Sequence, residues 1–91
     1  MNQQDKIQIE QLMRDKLFDK ALGVLAMALE AQPDDFDGLY YSAVCLRYLN
    51  RLDEALEQLK ALRKIAPSYG RGLQEEGHIH RAKGNLPQAL H

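Results

Sequence analysis

Ninety-one residues, 45% hydrophobic and 27% charged, suit one small folded domain rather than a disordered tail or a membrane span. The net charge of -1, divided as -1 over residues 1–33, -1 over 34–67 and +1 over 68–91, gives no electrostatic basis for holding nucleic acid or an anionic membrane. Cys45 is the single cysteine, which rules out an intramolecular disulfide, and Met1-Asn2-Gln3-Gln4-Asp5 lacks the features of a signal peptide, so a reducing, cytoplasmic setting is expected.

In chain order, Ile7, Ile9, Leu12 and Met13 recur at near-helical intervals and predict a helix from Gln3 to about Asp15. Phe18, Ala21, Leu22, Leu25, Ala28 and Leu29 trace one apolar stripe and predict a second from Leu17 to Ala31. Gln32-Pro33 stops it, and Asp34-Asp35 offers capping oxygens to the next. A third helix is expected from Asp37 to about Leu49, carrying Leu39, Tyr40, Ala43, Val44, Leu46 and Tyr48. A fourth runs from Leu52 to Ile65, with Asp53 and Glu54 in its first turn, where negative charge suits the helix dipole. Asn50 lies between these two, where a short turn favours left-handed backbone; Gly84 holds the same place later and Lys16 earlier, as a weaker match. A fifth helix is predicted from about Tyr69 to Lys83, a turn at Gly84-Asn85, and a sixth helix opening at Leu86-Pro87.

The elements repeat. Phe18, Ala21 and Leu22 return as Leu52, Ala55 and Leu56 and again as Leu86, Ala89 and Leu90, each displaced by one constant interval, and Pro33 and Pro67 keep the same offset. Such a period, about 34 residues, marks a solenoid in which each unit completes its neighbour's core. Units of about 2–33, 36–67 and 70–91 follow, the third with only about six residues for its second helix, so two full repeats and an incomplete third are expected.

On these residues the chain resembles the tetratricopeptide repeat, a helix-turn-helix unit of that length. Ala43 and Gly77 fall where the family places a small residue in the first helix, and Ala21, Ala55 and Ala89 where it places one in the second. Leu25 and Leu59 match a later core position, and Pro33 and Pro67 the terminating proline. Ile9 departs from the small residue, Gln8 and Ser42 from the leucine before it, and Leu62 from an alanine, so looser packing of the first helix is expected. The resemblance implies an all-α, right-handed α-solenoid of antiparallel helix pairs whose first helices line a concave groove for an extended or helical peptide.

In that register the first unit presents Gln3, Lys6, Ile7, Glu10, Met13 and Arg14. The second presents Tyr40, Tyr41, Val44, Arg47 and Tyr48 beside Asp37, and the third Arg71, Gln74, His78 and Arg81 beside Glu75. Three tyrosines and an arginine on one helix have the composition of an interaction hot spot; Tyr40 or Tyr48 could equally pack between helices, whereas Tyr41 with Arg47 is expected to contact the partner. Certain family members grip acidic chaperone tails with a clamp of lysines, asparagines and arginine. Those positions here read Lys6, Glu10, Tyr41, Arg71 and Glu75, and the two glutamates would repel a carboxylate, so that ligand is not expected.

His78 and His80 point about 200° apart on a helix and cannot readily share a metal ion. Cys45, between Val44 and Leu46, reads as a buried inert thiol. No phosphate-binding loop, zinc spacing or catalytic constellation is present, so neither an enzyme nor a cofactor is expected. The leading expectation is a protein-binding scaffold without nucleic-acid or membrane partners. Alternatively, the stretch Ala43–Leu56 with Glu75-Glu76-Gly77-His78 resembles repeats fused ahead of bacterial sulfotransferase domains, and the chain would then be a regulatory or targeting portion of an enzyme. The unfinished end, with Leu73, Leu86 and Leu90, adds an expectation of self-association.

Overall fold

The prolines and glycines that punctuate the sequence separate five helices: α1 Gln3–Arg14, α2 Phe18–Ala31, α3 Phe36–Tyr48, α4 Leu52–Ile65 and α5 Gly70–Ala82. The structure, a computed structural model, describes residues 1–84. The expected sixth helix, with Leu86, Pro87, Ala89 and Leu90, lies outside the described residues. Each helix packs on the next in the chain, and α5 also reaches back to α3. Helices α1, α3 and α5 therefore make one wall, with α2 and α4 behind it.

One turn reverses the chain after α1 and again after α3. Lys16 and Asn50 adopt left-handed backbone, with φ of 63° and 62°, and Gly84 follows with 78°. The amide of Lys16 donates to the Met13 carbonyl and that of Leu17 to Leu12, at 3.0 and 2.8 Å; Asn50 and Arg51 repeat both bonds to Arg47 and Leu46, at 2.9 and 2.8 Å. These paired bonds form a Schellman closure, which satisfies carbonyls the helix end leaves open. The equivalence of Lys16, Asn50 and Gly84 read from the repeat offset holds, although only glycine adopts this backbone without steric cost.

The starts of α1 and α3 use side chains. The amide of Asp5 donates to Asn2 Oδ1 at 2.7 Å, and that of Gly38 to Asp35 Oδ1 at 3.2 Å, each satisfying a first-turn N–H that has no intrahelical acceptor. Asp35 also ion-pairs with the α-amino group of Met1. Burial alone would raise the Asp35 carboxyl, but the α-amino group and the Gly38 and Asp37 amides together hold it below the ordinary carboxylate range.

Two apolar clusters fill the space between the walls. Ile9, Ala21, Leu25, Tyr41 and Cys45 form the first; Leu39, Ala43, Leu46, Ala55, Leu59, Leu62 and Ile79 form the second. Ala21, Ala43 and Ala55 are fully enclosed, as their place at helix crossings requires. Ile9 is as fully enclosed as Ala43, so the first unit accommodates the larger side chain beside Ala21 and Cys45.

Among the described residues a Cβ at Gly77 would meet no atom within 4 Å, and its expected counterpart Ala89 lies outside them. The glycines that do permit close approach are Gly38 and Gly72, themselves one repeat apart: a Cβ would come within 3.0 Å of Leu29 Cδ2 and 2.9 Å of Leu62 Cδ2 respectively. Gly72 thus makes room for the leucine that stands where the repeat favours alanine.

Two outcomes follow for stability. Lys16→Gly should raise the unfolding free energy by about 1 kcal/mol by relieving left-handed strain. Gly72→Ala should lower it by about 1 kcal/mol by displacing Leu62; urea titrations of both variants check the opposite signs. The lowered Asp35 carboxyl contributes stability above its unfolded pKa that disappears as pH falls through the folded value. The stability difference between the protein and Asp35→Asn should therefore shrink from about pH 5 to about pH 3, and a difference independent of pH would contradict the assignment.

Candidate functional site

The wall made by α1, α3 and α5 carries an aromatic cluster built from three rings of α3 and Tyr69, the residue that precedes α5. The Tyr40 ring lies 5.6 Å from Tyr41 and 5.9 Å from Tyr69, and Phe36 meets Tyr69 edge-on at 5.4 Å. Offset and edge-on arrangements of this kind suit the ring quadrupoles. Hydroxyl groups anchor the cluster at both sides. Tyr41 donates to Glu10 Oε2 of α1 at 2.7 Å, and Tyr69 donates to Asp37 Oδ1 of α3 at 3.3 Å. Burial, and then the bond to the Glu10 carboxylate, push the Tyr41 hydroxyl pKa upward, so it remains a donor at neutral pH.

Arg47 and Glu75 join α3 to α5. The Arg47 guanidinium grips the Glu75 carboxylate, with its second nitrogen 3.5 Å from Oε1. The Glu75 side chain is only 4% exposed. Burial opposes the charge on Arg47, but the bond to Glu75 outweighs it and raises the pKa. Arg47 also lies over the Tyr48 ring at 4.5 Å, and Tyr48 stacks on Phe18 at 4.6 Å.

The nine groove residues named from sequence thus divide by exposure. Tyr41, expected with Arg47 to contact a partner, is instead buried with its hydroxyl on Glu10; Val44 is buried too, and Arg47 and Tyr40 are half-buried and engaged with their neighbours. Tyr48 is 58% exposed; Arg71, Gln74 and Arg81 are exposed, and His78 is half-buried. Arg71 stands over Tyr40, with its guanidinium carbon 5.9 Å from the ring centre. Lys6 lies 3.9 Å from Asp37. Of the clamp-equivalent positions, Glu10 and Glu75 are therefore taken up by Tyr41 and Arg47.

Sequence reasoning missed Tyr69 and Phe36, which it left at helix edges, and Phe18 as the partner of Tyr48. Tyr69 holds in the third unit the place that Asp35 holds in the second, so the repeat itself marked the position, but a ring there had no counterpart to give it meaning. Cys45 is fully enclosed, and burial pushes its thiol up to about 12, far from a reactive thiolate. Among the described residues no cluster of three or more histidine, cysteine, aspartate or glutamate side chains could hold a metal ion, and no helix is long and apolar enough to cross a membrane. Leu73, one of three leucines assigned to a self-association face, is 49% exposed; Leu86 and Leu90 lie outside the described residues.

No family model matches the chain, and no curated protein matches it. Two solved structures, titled MamA D159K mutant 2 and MamA D159K mutant 1, are similar to it with a TM-score of 0.79 and 23% identity. They cover 94% of this chain and 47% and 50% of theirs, so the chain spans about half the length of these neighbours. The fold is a right-handed, tetratricopeptide-type α-solenoid. The further likeness to repeats fused with sulfotransferase domains finds no support in these matches.

Breaking the Arg47–Glu75 pair should reveal its structural weight. Arg47→Met strands a buried carboxylate and should cost about 3 kcal/mol of stability, whereas Arg47→Met with Glu75→Leu should recover most of that loss. A double-mutant cycle in urea checks it; strictly additive effects would mean the two groups are uncoupled.

Proposed function

We propose that this chain is a non-catalytic binding module that holds a segment of another polypeptide along the α1–α3–α5 wall. The observation that supports the reading is the composition and fixation of that wall. Tyr41 and Val44 supply a rigid floor, Tyr40 is held by Tyr41 and Tyr69, and Arg47 is held by Glu75. Above them Tyr48, Arg71, Gln74, His78 and Arg81 reach solvent. Aromatic and arginine side chains already fixed in place lose little conformational entropy on binding, which is what a hot spot requires. The tetratricopeptide-type fold supports protein partners generally, and the wall's residues narrow the contact surface to the solvent-reaching side chains.

The test is selection of peptides on the immobilised protein from a random library, followed by titration against Tyr48→Ala and Gln74→Ala. Peptides that bind the intact chain should weaken by about tenfold on at least one variant, equivalent to about 1.4 kcal/mol. Peptides that bind both variants as well as the parent would place the contact surface elsewhere. A library yielding no binder would remove the reading.

A further inference from the structure

A second concavity lies behind the wall, on the side of α2 and α4. Leu22, Ala26 and Leu29 of α2 line one side of a groove of about 270 Å³ whose floor is Ser42 and Leu46 of α3. Arg51, Glu54 and Gln58 form its other side, at and within the start of α4. Ser42 stands where the repeat favours leucine, and the shorter side chain leaves the floor open between the two outer helices. One repeat later the equivalent positions read Leu56, Lys60, Arg63, Glu76 and His80, and these line the groove beside α5. Four of those five are ionisable, so an apolar slot with a hydroxyl at its floor distinguishes the second unit from the third.

Ser42 is only 4% exposed. A serine inside a helix ordinarily returns its hydroxyl to a carbonyl one turn back. Ser42 does not, and among the described residues its Oγ meets no hydrogen-bond partner, so the groove is where it finds one. An enclosed hydroxyl without a partner is a cost that a ligand bonding to it removes. Arg51 and Glu54, the charged members of the lining, satisfy each other: Arg51 Nε and Nη2 donate to the two carboxylate oxygens of Glu54 at 3.0 and 2.6 Å. That bidentate pair takes up the edge of the guanidinium and leaves its faces for a ring. The groove therefore asks for a neutral, flat, apolar group that carries one hydrogen-bonding tip.

We propose that this groove seats one tyrosine side chain of a partner polypeptide, its ring among Leu22, Leu29 and Leu46 and its hydroxyl hydrogen-bonded to Ser42 Oγ. The aliphatic walls match the ring, the enclosed Ser42 oxygen matches the phenol tip, and Arg51 at the rim offers a flat cation beside it. An acidic or basic side chain would find no unpaired counter-charge and would lose its hydration. The volume falls just below the roughly 300–1,000 Å³ of small-molecule sites, which suits an anchor delivered on a backbone that stays outside. The groove shares no residue with the solvent-reaching surface of α3 and α5, so this site stands apart from the binding reading above.

The experiment titrates 4-methylphenol, which reproduces the tyrosine side chain, and toluene into the full chain while leucine methyl signals are followed by NMR. 4-Methylphenol should shift Leu22, Leu29 and Leu46 saturably and bind about fivefold more tightly than toluene. Ser42→Ala keeps the space without the hydroxyl and should erase that preference. Ser42→Leu fills the floor and should abolish binding of both probes while raising the urea midpoint. Ala26→Leu, at an exposed position, narrows the same groove and replaces it as the blocking variant if Ser42→Leu fails to fold. A capped pentapeptide with tyrosine between glycines should displace 4-methylphenol, and its phenylalanine counterpart should do so about fivefold less well. No saturable shift of the three leucines up to about 10 mM, or an undiminished preference in Ser42→Ala, would overturn the site. Failure of the tyrosine peptide to displace the probe would mean that the groove takes a free phenol, and would overturn the polypeptide partner. If sedimentation shows a dimer that Tyr48→Ala and the blocking variant both dissociate, a second copy supplies the ring and the separate partner is overturned.

Discussion

The left-handed residue that closes α1, α3 and α5 is the constraint from which the rest of this structure follows. Lys16 and Asn50 each reverse the chain within a few residues, Gly84 adopts the same backbone after α5, and the two bonds of each complete closure bind the turn to the helix it ends. Because the reversal recurs at a fixed interval, every second helix returns antiparallel to the first at the same height. Ala21 and Ala55 then meet their crossings in register, and the small side chains allow the axes to approach. In a solenoid of this kind each unit leans on its neighbours, and no contact between distant units imposes order from outside. Its geometry is set locally and propagated.

That propagation has a consequence for the binding wall. Side chains on α1, α3 and α5 are brought together only because the intervening helices hold the spacing, and the contacts between them are chemically specific. Glu10 with Tyr41, Asp37 with Tyr69 and Arg47 with Glu75 each join neighbouring wall helices through a carboxylate. The wall is thus stitched by acids that the sequence would otherwise present to solvent.

Much of the fold was legible in the chain. The order and approximate ends of the five described helices and the positive-φ turn positions follow from apolar spacing, proline and the repeat offset, because these are properties of short stretches read one at a time. The site was legible only in outline. The register placed Tyr40, Tyr41, Arg47 and Tyr48 on one helix, yet it favoured Tyr41 for partner contact, and Tyr41 is the sealed ring while Tyr48 is the open one. Tyr41 is 7% exposed and Tyr48 is 58% exposed, a difference set by what α1 and α5 cover.

The sequence by itself determined that this chain is a stack of helical hairpins with a constant step, since the period, the alanines and the turn residues are local and additive. Tertiary structure alone decided that Gly38 and Gly72 are the close approaches, that Leu62 is admitted by a glycine rather than excluded, and that Arg47 is held by Glu75 while Arg71 lies over Tyr40. The physical reason is that packing and ion pairing depend on distances between side chains a whole repeat apart in the chain, and no reading along one strand of text measures those distances.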